Sequence, residues 1–312
     1  MANRTWTAGP SDAGLRLDKF LADQARFGSR AKAAAALQRG KIFVNDRETT
    51  LADAGARLAP GDTVRAWMDR PGSGRRPISL GEDRDLPVIY EDDALIVLNK
   101  PAGLLAVPLA RRAEARSVFE DLKAYLRKRG RRRPLVVHRI DRDTSGLVLF
   151  AKSALAEERL KAQFARHLPE RVYLAVVYGH PHPSSGTWRD HLVWDQDALI
   201  QKETHPRDPR ARQAISRYRV VETLENASLV EVTLVTGRRN QIRLQARLRG
   251  HMLVGEQRYV YGPDSLRTIA FPRQALHASR LAFDHPVTGR RLSFEAPLPD
   301  DLVSLIAKLR RS

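Results

Sequence analysis

The sequence predicts an α+β protein in two parts. A small αβ domain covers residues 12–69, a linker covers 70–85, and a larger domain with a largely antiparallel mixed sheet covers 86–312. Three observations carry this reading. From about Pro87 onward short β-rich runs dominate, separated in places by amphipathic stretches, which is how a sheet with segregated helices is written. Before that point apolar residues recur at helical spacing over a short separate region. Between the two, Arg70 to Arg84 is rich in Gly, Pro, Ser and charge and has no apolar period.

The elements follow in chain order. Leu17, Phe20, Leu21 and Ala25 fall on one helical face. Ser29 is placed to cap a second helix, Arg30 to Arg39, which Gly40 is placed to end. Ile42 and Val44 alternate as a short strand, Asn45-Asp46 mark a turn, and Gly61-Asp62 turn the chain before Val64 and Ala66. In the larger part, strands are expected at Val88–Tyr90, Ala94–Leu98, Leu135–Val137, Leu147–Phe150, Tyr173–Tyr178 and Leu229–Val235. Helices are expected at Val118–Arg129 and Ala154–His167, and a basic run, RKRGRRR, spans Arg127 to Arg133.

Composition narrows the class. Apolar residues make up 42% of the 312, enough for a packed core. Lys and Arg number 54 against 36 Asp and Glu, a net charge of +18. That excess points to a polyanionic partner: nucleic acid first, an anionic membrane surface second. No apolar run reaches the length a bilayer needs, so no membrane association is expected. The opening MANRTWTAGPSDAG lacks the apolar core of a signal peptide, and with no cysteine the chain fits the cytoplasm. Absence of cysteine also excludes disulfides, a thiolate nucleophile and Cys-based metal sites. The nine histidines show no HxxxH or HExxH pairing, so no metal is expected. P-loop and dinucleotide fingerprints are absent too.

The most informative segment is HRIDRDTSGLVLFAK, from His138 to Lys152. Asp141 sits between Arg139 and Arg142 after the apolar run Leu135 to Val137. Thr144, Ser145 and Gly146 form a small-residue, exposed turn before a second apolar run. A carboxylate flanked by guanidinium groups stays ionised. Such a group is a poor general acid but a usable nucleophile or base. On local chemistry alone, a structural ion pair is its more common use.

This segment resembles the signature of the RluA-type pseudouridine synthases, HRLDxxTSGLLLxAK, with Ile140 in place of the usual Leu. The resemblance implies that Asp141 is catalytic. VIYEDDALIVLNKPAGLL resembles the start of that family's catalytic domain. RVYLAVVYGH, from Arg171, resembles the family's Lys-x-Tyr-x-Ala segment, with Arg171 keeping the charge of the usual Lys. There Tyr173 would stack on the target base and is a candidate proton acceptor. In LVTGRRNQIRLQARLRGHMLVGE, Gly237 permits a tight turn, and Ile242 and Leu244 alternate with polar neighbours before the pattern turns helical. Arg243 would face the other side of any local strand. It resembles the family Arg that pairs with the catalytic Asp. The family commonly writes GRTHQIRVH and later GD; here Asn240 and Gln245 replace His, and Glu256 follows Gly255. The stretch from Arg273 to Pro299 resembles the family's C-terminal strands, with Leu281, Phe283, Leu292 and Phe294 as core residues.

The small domain, RLDKFLADQ…SRAKAAAALQRGKIFVND…LAPGDTVRAW, resembles an S4 RNA-binding domain. The resemblance makes Arg30, Lys32, Arg39 and Lys41 its RNA contacts, supplying affinity through phosphates. In the larger domain, His138, Arg139, Arg142, Arg238 and Gln241 are the candidate RNA contacts, with Arg139 filling the space a flipped base vacates or clamping the backbone. Taken together, the resemblances imply an enzyme that detaches uracil from ribose, turns it and rejoins it through carbon. The base must leave its stack, at a cost of a few kcal/mol. No cofactor, metal or obligate protein partner is implied, and a monomer is expected. The implied substrate is large-subunit (23S) ribosomal RNA, with transfer RNA as the alternative. A non-catalytic ribosome-assembly factor on the same scaffold is the alternative from another class. A DNA-binding regulator fits the charge but lacks a helix-turn-helix or zinc-finger pattern.

Overall fold

The computed structural model describes residues 4–38, 41–49, 51–67, 86–108, 116–128, 133–260 and 268–310. The chain divides into two compact units, Met1–Arg84 and Asp85–Ser312. The expected linker, residues 70–85, lies outside the described residues, as do Arg39, Gly40 and Arg129 to Arg132 of the basic run.

The first unit carries β1 (Arg4–Thr7), α1 (Leu17–Ala22), α2 (Arg30–Gln38), β2 (Ile42–Val44), β3 (Arg47–Thr49) and β4 (Thr63–Ala66). Its sheet runs β1-β4-β2-β3, every pair antiparallel. Leu17, Phe20 and Leu21 of α1 are buried against Ala33, Ala36 and Leu37 of α2 and Ile42 and Val64 of the sheet. The Ser29 hydroxyl accepts the Lys32 backbone N–H at 3.3 Å, as an N-cap does. Asn45 and Asp46 both take positive φ, 50° and 61°, which closes the two-residue hairpin between β2 and β3. Two expectations need correction. Helix α1 stops at Ala22, leaving Ala25 exposed and off the helical face, because Arg26 and Phe27 turn back to bond with Asp23 and Leu21. β1 also adds a strand ahead of residue 12, where the sequence boundary was drawn.

The second unit is a mixed α+β body on one large sheet. Its elements are β5 (Val88–Glu91), β6 (Leu95–Lys100), α3 (Val118–Lys128), β7 (Leu135–Val136), β8 (Ser145–Ala151), α4 (Ala154–Ala165), β9 (Glu170–Tyr178), β10 (Ser185–Asp195), β11 (Ile200–Glu203), β12 (Arg212–Leu224), β13 (Ala227–Leu234), α5 (Gln241–Leu248), β14 (Leu276–Asp284), β15 (Arg291–Glu295) and α6 (Asp300–Arg310). The strand order is β11-β10-β12-β13-β9-β14-β8-β6-β5, with β7 on β8 and β15 on β14. Only the short β8–β14 contact is parallel among these pairings.

Period-2 alternation assigns each face a helix. Leu95 and Val97 of β6 and Leu147 and Leu149 of β8 pack with Ala156 and Leu160 of α4. Ile96 and Leu98, with Val148 and Phe150, face Val118, Leu122 and Leu126 of α3. Strand β9 is likewise covered on both faces. Tyr173, Ala175 and Val177 pack with Ile242 and Ala246 of α5, whereas Val176 packs with Leu302, Leu305 and Leu309 of α6. Central strands buried on both sides read as continuous apolar runs. The outer strands β10 and β12 were not expected from sequence: they carry Arg, Asp, Glu and Gln and bury only alternate residues, such as Trp188, Leu192 and Ala214.

The small-residue turn is also a correction. Thr144 and Ser145 are buried, not exposed, and β8 begins at Ser145. Gly146 takes φ +108°, and a Cβ there would lie 2.2 Å from the Ala278 carbonyl oxygen. Glycine is required at the point where β8 meets β14.

Candidate active site

The segment between β7 and β8 crosses one end of the sheet, with Val137, Ile140 and Thr144 buried and Asp141 half-buried between exposed Arg139 and Arg142. Its backbone is held from beneath. The fully buried Lys100 donates to three carbonyl oxygens, those of Pro101, Leu104 and Arg142, each at 2.8 Å. Burial pushes the Lys100 ammonium down to about 7. Three acceptors for three N–H groups are nonetheless an arrangement only the charged form completes. Arg273, paired with Asp301 at 2.7 Å, donates to the Asp143 carbonyl at 3.1 Å. His138 accepts the Leu149 backbone N–H on Nε2 at 3.0 Å and stacks on Phe164, 4.8 Å between centroids.

Asp141 Oδ2 accepts two hydrogen bonds, from Asn240 Nδ2 at 2.6 Å and from Arg243 Nη1 at 3.0 Å. Arg243 is itself gripped by Glu256, Nε to Oε2 at 2.7 Å and Nη2 to Oε1 at 2.6 Å. Burial alone would lower the guanidinium, but the bonds and charge of Glu256, then of Asp141, hold it above its ordinary value. Glu256 Oε1 also accepts the backbone N–H groups of Gln257, Arg258 and Tyr259. Burial would raise the Glu256 carboxyl, and Arg243 instead holds it below the usual range. Tyr259 Oη donates to Asn240 Oδ1 at 3.2 Å. A chain of bonds therefore runs Glu256–Arg243–Asp141–Asn240–Tyr259. Asn240 reaches Asp141 because it takes the left-handed conformation, φ 52° and ψ 24°, at the start of α5.

Asp141, Asn240 and Arg243 line a cavity of about 550 Å³ whose lining also includes Tyr173, Arg171, Arg238 and Arg239. Asp141 is the one acid lining it among the described residues. Tyr173 is 8% exposed, and its hydroxyl is pushed up to about 12 by burial first, with Asp141 adding to the rise and Arg171 opposing it. No three His, Cys, Asp or Glu side chains gather as a metal site among the described residues.

Asp141, Tyr173 and Arg243, far apart in sequence, meet at this cavity. Other expectations change. Arg243 lies in a helix, not a strand, because α5 starts immediately after Asn240; its partners come from the helix turn it occupies. Neither flanking arginine pairs with Asp141: Arg142 bonds its own neighbour, Asp143, and Arg139 stands exposed at the cavity. Gln241 is unsuited to RNA contact. It is 2% exposed, and its amide is consumed by Thr236, the Arg238 N–H, the Ile215 carbonyl and Ser216. His138 is unsuited as a cationic contact, because burial first, then Arg171, lowers it to about 3, leaving a neutral ring that serves the backbone of Leu149. Arg238 is half-buried and donates Nε to the Gln213 carbonyl at 3.0 Å. Arg30 and Lys32 are exposed on α2, and Lys41 is half-buried just before β2.

Sequence reasoning passed over Lys100, Arg273, Tyr259 and Arg239, which lies 3.9 Å over the Trp194 ring. One signal was available: Lys100 ends the apolar strand LIVLNK, and a cation closing a buried strand needs internal acceptors. The departures Asn240 and Glu256 prove to be the bonding partners of Asp141 and Arg243. Gln245 is fully buried in a separate network with Ser216, Asp190 and Ala214.

Comparison with known proteins follows the same line. Residues 94–248 match the family described as RNA pseudouridylate synthase. The chain is 36% identical over 310 residues to an uncharacterized RNA pseudouridine synthase of Bacillus subtilis (strain 168), covering 98% of each. It is 35% identical to the ribosomal large subunit pseudouridine synthase D of Zymomonas mobilis subsp. mobilis, over 95% of this chain and 94% of that one. Among solved structures, human RNA pseudouridylate synthase domain containing 4 superimposes with a TM-score of 0.58 at 20% identity, over 72% of this chain and 92% of that one, a likeness of fold.

The Glu256–Arg243 pair yields a stability prediction. Glu256→Gln leaves a buried guanidinium without its carboxylate, and breaking such a pair costs about 3 kcal/mol or more. Urea unfolding of the variant should show that loss, and a loss under about 1 kcal/mol would contradict the pairing.

Proposed function

The chain belongs to the RNA pseudouridine synthase family, and from that premise we propose that it converts uridine to pseudouridine in large-subunit ribosomal RNA at the cavity holding Asp141. That it is an RNA pseudouridine synthase follows from the family. The ribosomal target is supported by relatives named for the large subunit, such as the Zymomonas protein.

The observation that carries the site assignment is the isolation of Asp141. It is the one acid lining the cavity among the described residues, and its carboxylate is aimed and held by Arg243 and Asn240. The reaction breaks the bond between ribose C1′ and uracil N1 and forms a bond between C1′ and uracil C5. The proton on C5 leaves and N1 gains one, so atoms balance without a cofactor. A carboxylate beside a guanidinium suits either of two roles: a nucleophile in the cleavage, or the base that removes a ribose proton. Because the bond to be broken lies within a base stack, the uridine is extruded into the cavity. Arg139, exposed at the cavity, is placed to take the vacated space or to clamp the backbone.

Tyr173 is assigned to stacking. A phenol pushed up to about 12 is a poor resting proton acceptor, whereas its ring beside Ile140 and Leu276 offers an apolar face to a base. The Met1–Arg84 unit is proposed to be an S4-type RNA-binding domain, with Arg30 and Lys32 on α2 and Lys41 beyond it meeting phosphates. With ribosomal RNA as substrate, the place of action is the cytoplasm.

Two tests separate these assignments. Asp141→Asn keeps size and removes charge, so pseudouridine formation on ribosomal RNA fragments should vanish while RNA affinity stays within about tenfold; substantial turnover by the variant would sink the assignment. In the same assay Tyr173→Phe should bind RNA nearly normally, and Tyr173→Ala should lose about 1–3 kcal/mol. If Phe binds as poorly as Ala, stacking is the wrong account.

The second test addresses the small unit. Arg30→Gln with Lys32→Gln in the full chain removes two phosphate contacts. Affinity should fall, and the slope of log affinity against log salt should shrink by about 2. An unchanged slope would show that this helix does not meet the RNA.

A further inference from the structure

Five arginines, Arg139, Arg171, Arg238, Arg239 and Arg243, line the cavity against one carboxylate, and among them Arg171 is the one buried without an anion among the described residues. Lys100 gives its protons to three carbonyls, Arg273 pairs with Asp301, and Arg243 pairs with Glu256 and Asp141. Arg171 differs from all three. It is 8% exposed, it makes no ion pair among the described residues, and its Nε is buried with no hydrogen-bond partner. Its guanidinium makes one hydrogen bond among the described residues, a long one from Nη2 to the Val235 carbonyl at 3.3 Å. Burial lowers it below the ordinary arginine value, with Tyr173 opposing. A desolvated cation left without an anion costs several kcal/mol, so the fold retains a charge it does not itself neutralise.

The surroundings make room for this group. Gly237 lies against it: a Cβ there would sit 2.4 Å from Arg171 Nη1. Gly237 does not take a positive φ, so its lack of a side chain provides space rather than backbone freedom. Arg171 and Tyr173 are two residues apart on β9 and therefore share a face, roughly 7 Å apart along the strand. Both line the cavity with Arg238. The ring of Phe164 flanks the Arg171 guanidinium at 5.6 Å.

We propose that Arg171, supported by Arg238, is a phosphate subsite that holds a phosphate of the nucleotide whose base lies against Tyr173. Phosphate is the full negative charge of an RNA nucleotide, and the planar fork of a guanidinium matches two of its oxygens at once. A base carbonyl could accept one hydrogen bond but would leave the charge unanswered. Anchoring the phosphate at Arg171 while the ring rests on Tyr173 fixes the nucleotide at two points. The sugar then lies between them, toward Asp141. The proposal rests on the reading of this cavity as the uridine site.

The test measures binding of uridine, uridine 3′-monophosphate, uridine 5′-monophosphate and inorganic phosphate to the full chain by ligand-observed NMR. The wild type should hold at least one of the two nucleotides about tenfold more tightly than uridine, and the better one names the phosphate held. Inorganic phosphate alone should displace that nucleotide. Arg171→Gln should abolish the preference while leaving uridine affinity within about twofold. It should also unfold at no lower temperature than wild type, since it removes an unpaired buried charge; a marked loss of stability would assign Arg171 a structural role instead. Gly237→Ala provides a second route, displacing the guanidinium while keeping its charge, and should lose the same preference. Equal affinity of the wild type for uridine and both nucleotides would overturn the proposal, as would a preference that survives in Arg171→Gln and Gly237→Ala. None of these readings uses turnover. A chain that prefers nucleotides but forms no pseudouridine would contradict the proposed function and leave the subsite standing.

Discussion

The carbonyl oxygens of Arg142 and Asp143 each accept a hydrogen bond from a buried cation, Lys100 at 2.8 Å and Arg273 at 3.1 Å. The position of Asp141 depends on these contacts. The loop that carries it has no strand partner of its own, so its backbone acceptors must be met by side chains. Two cations far apart in the sequence of the second unit meet them, and each is committed elsewhere as well: Lys100 to Pro101 and Leu104, Arg273 to Asp301. Unmet buried acceptors cost about 1–3 kcal/mol each. A shift of the loop would forfeit several such bonds together, which makes its place discrete rather than adjustable.

The same economy governs the side chain. Asp141 is aimed by Arg243, and Arg243 is aimed by Glu256, whose carboxylate is fixed by three backbone N–H groups. Each charge is oriented by one more buried than itself. The sheet makes this possible. β9 brings Tyr173 against α5, and the β8–β14 contact closes the Asp141 loop against the strand that follows Arg273 and Gln274. Arg171 differs from these groups: it is buried, makes no ion pair among the described residues and leaves Nε without a partner.

The sequence was most readable where pattern and chemistry coincide. The apolar runs of β6, β8, β9 and β13 are continuous because those strands are covered on both faces, so their positions could be read directly. Asp141, Tyr173 and Arg243 could be picked out through resemblance, and the structure brings all three to one cavity. The partner relations were not legible. Local sequence offered Asp141 two flanking arginines, but a loop that buries Val137, Ile140 and Thr144 leaves them exposed, and the actual donors arrive from about a hundred residues away. The polar strands β10 and β12 hid because an outer strand needs to bury only alternate residues. Gln241 looked available for RNA because an amide near a basic turn has no sequence mark of being internally satisfied.

The reaction proposed for this chain is pseudouridine formation in ribosomal RNA through the Asp141 carboxylate. Pseudouridines mapped across the RNA of cells lacking the chain, then complemented with either wild type or Asp141→Asn, address it most directly. One or more large-subunit ribosomal RNA positions should lose pseudouridine in the deleted cells and regain it only with the wild type. An unaltered map in the deleted cells, or restoration by Asp141→Asn, would contradict it.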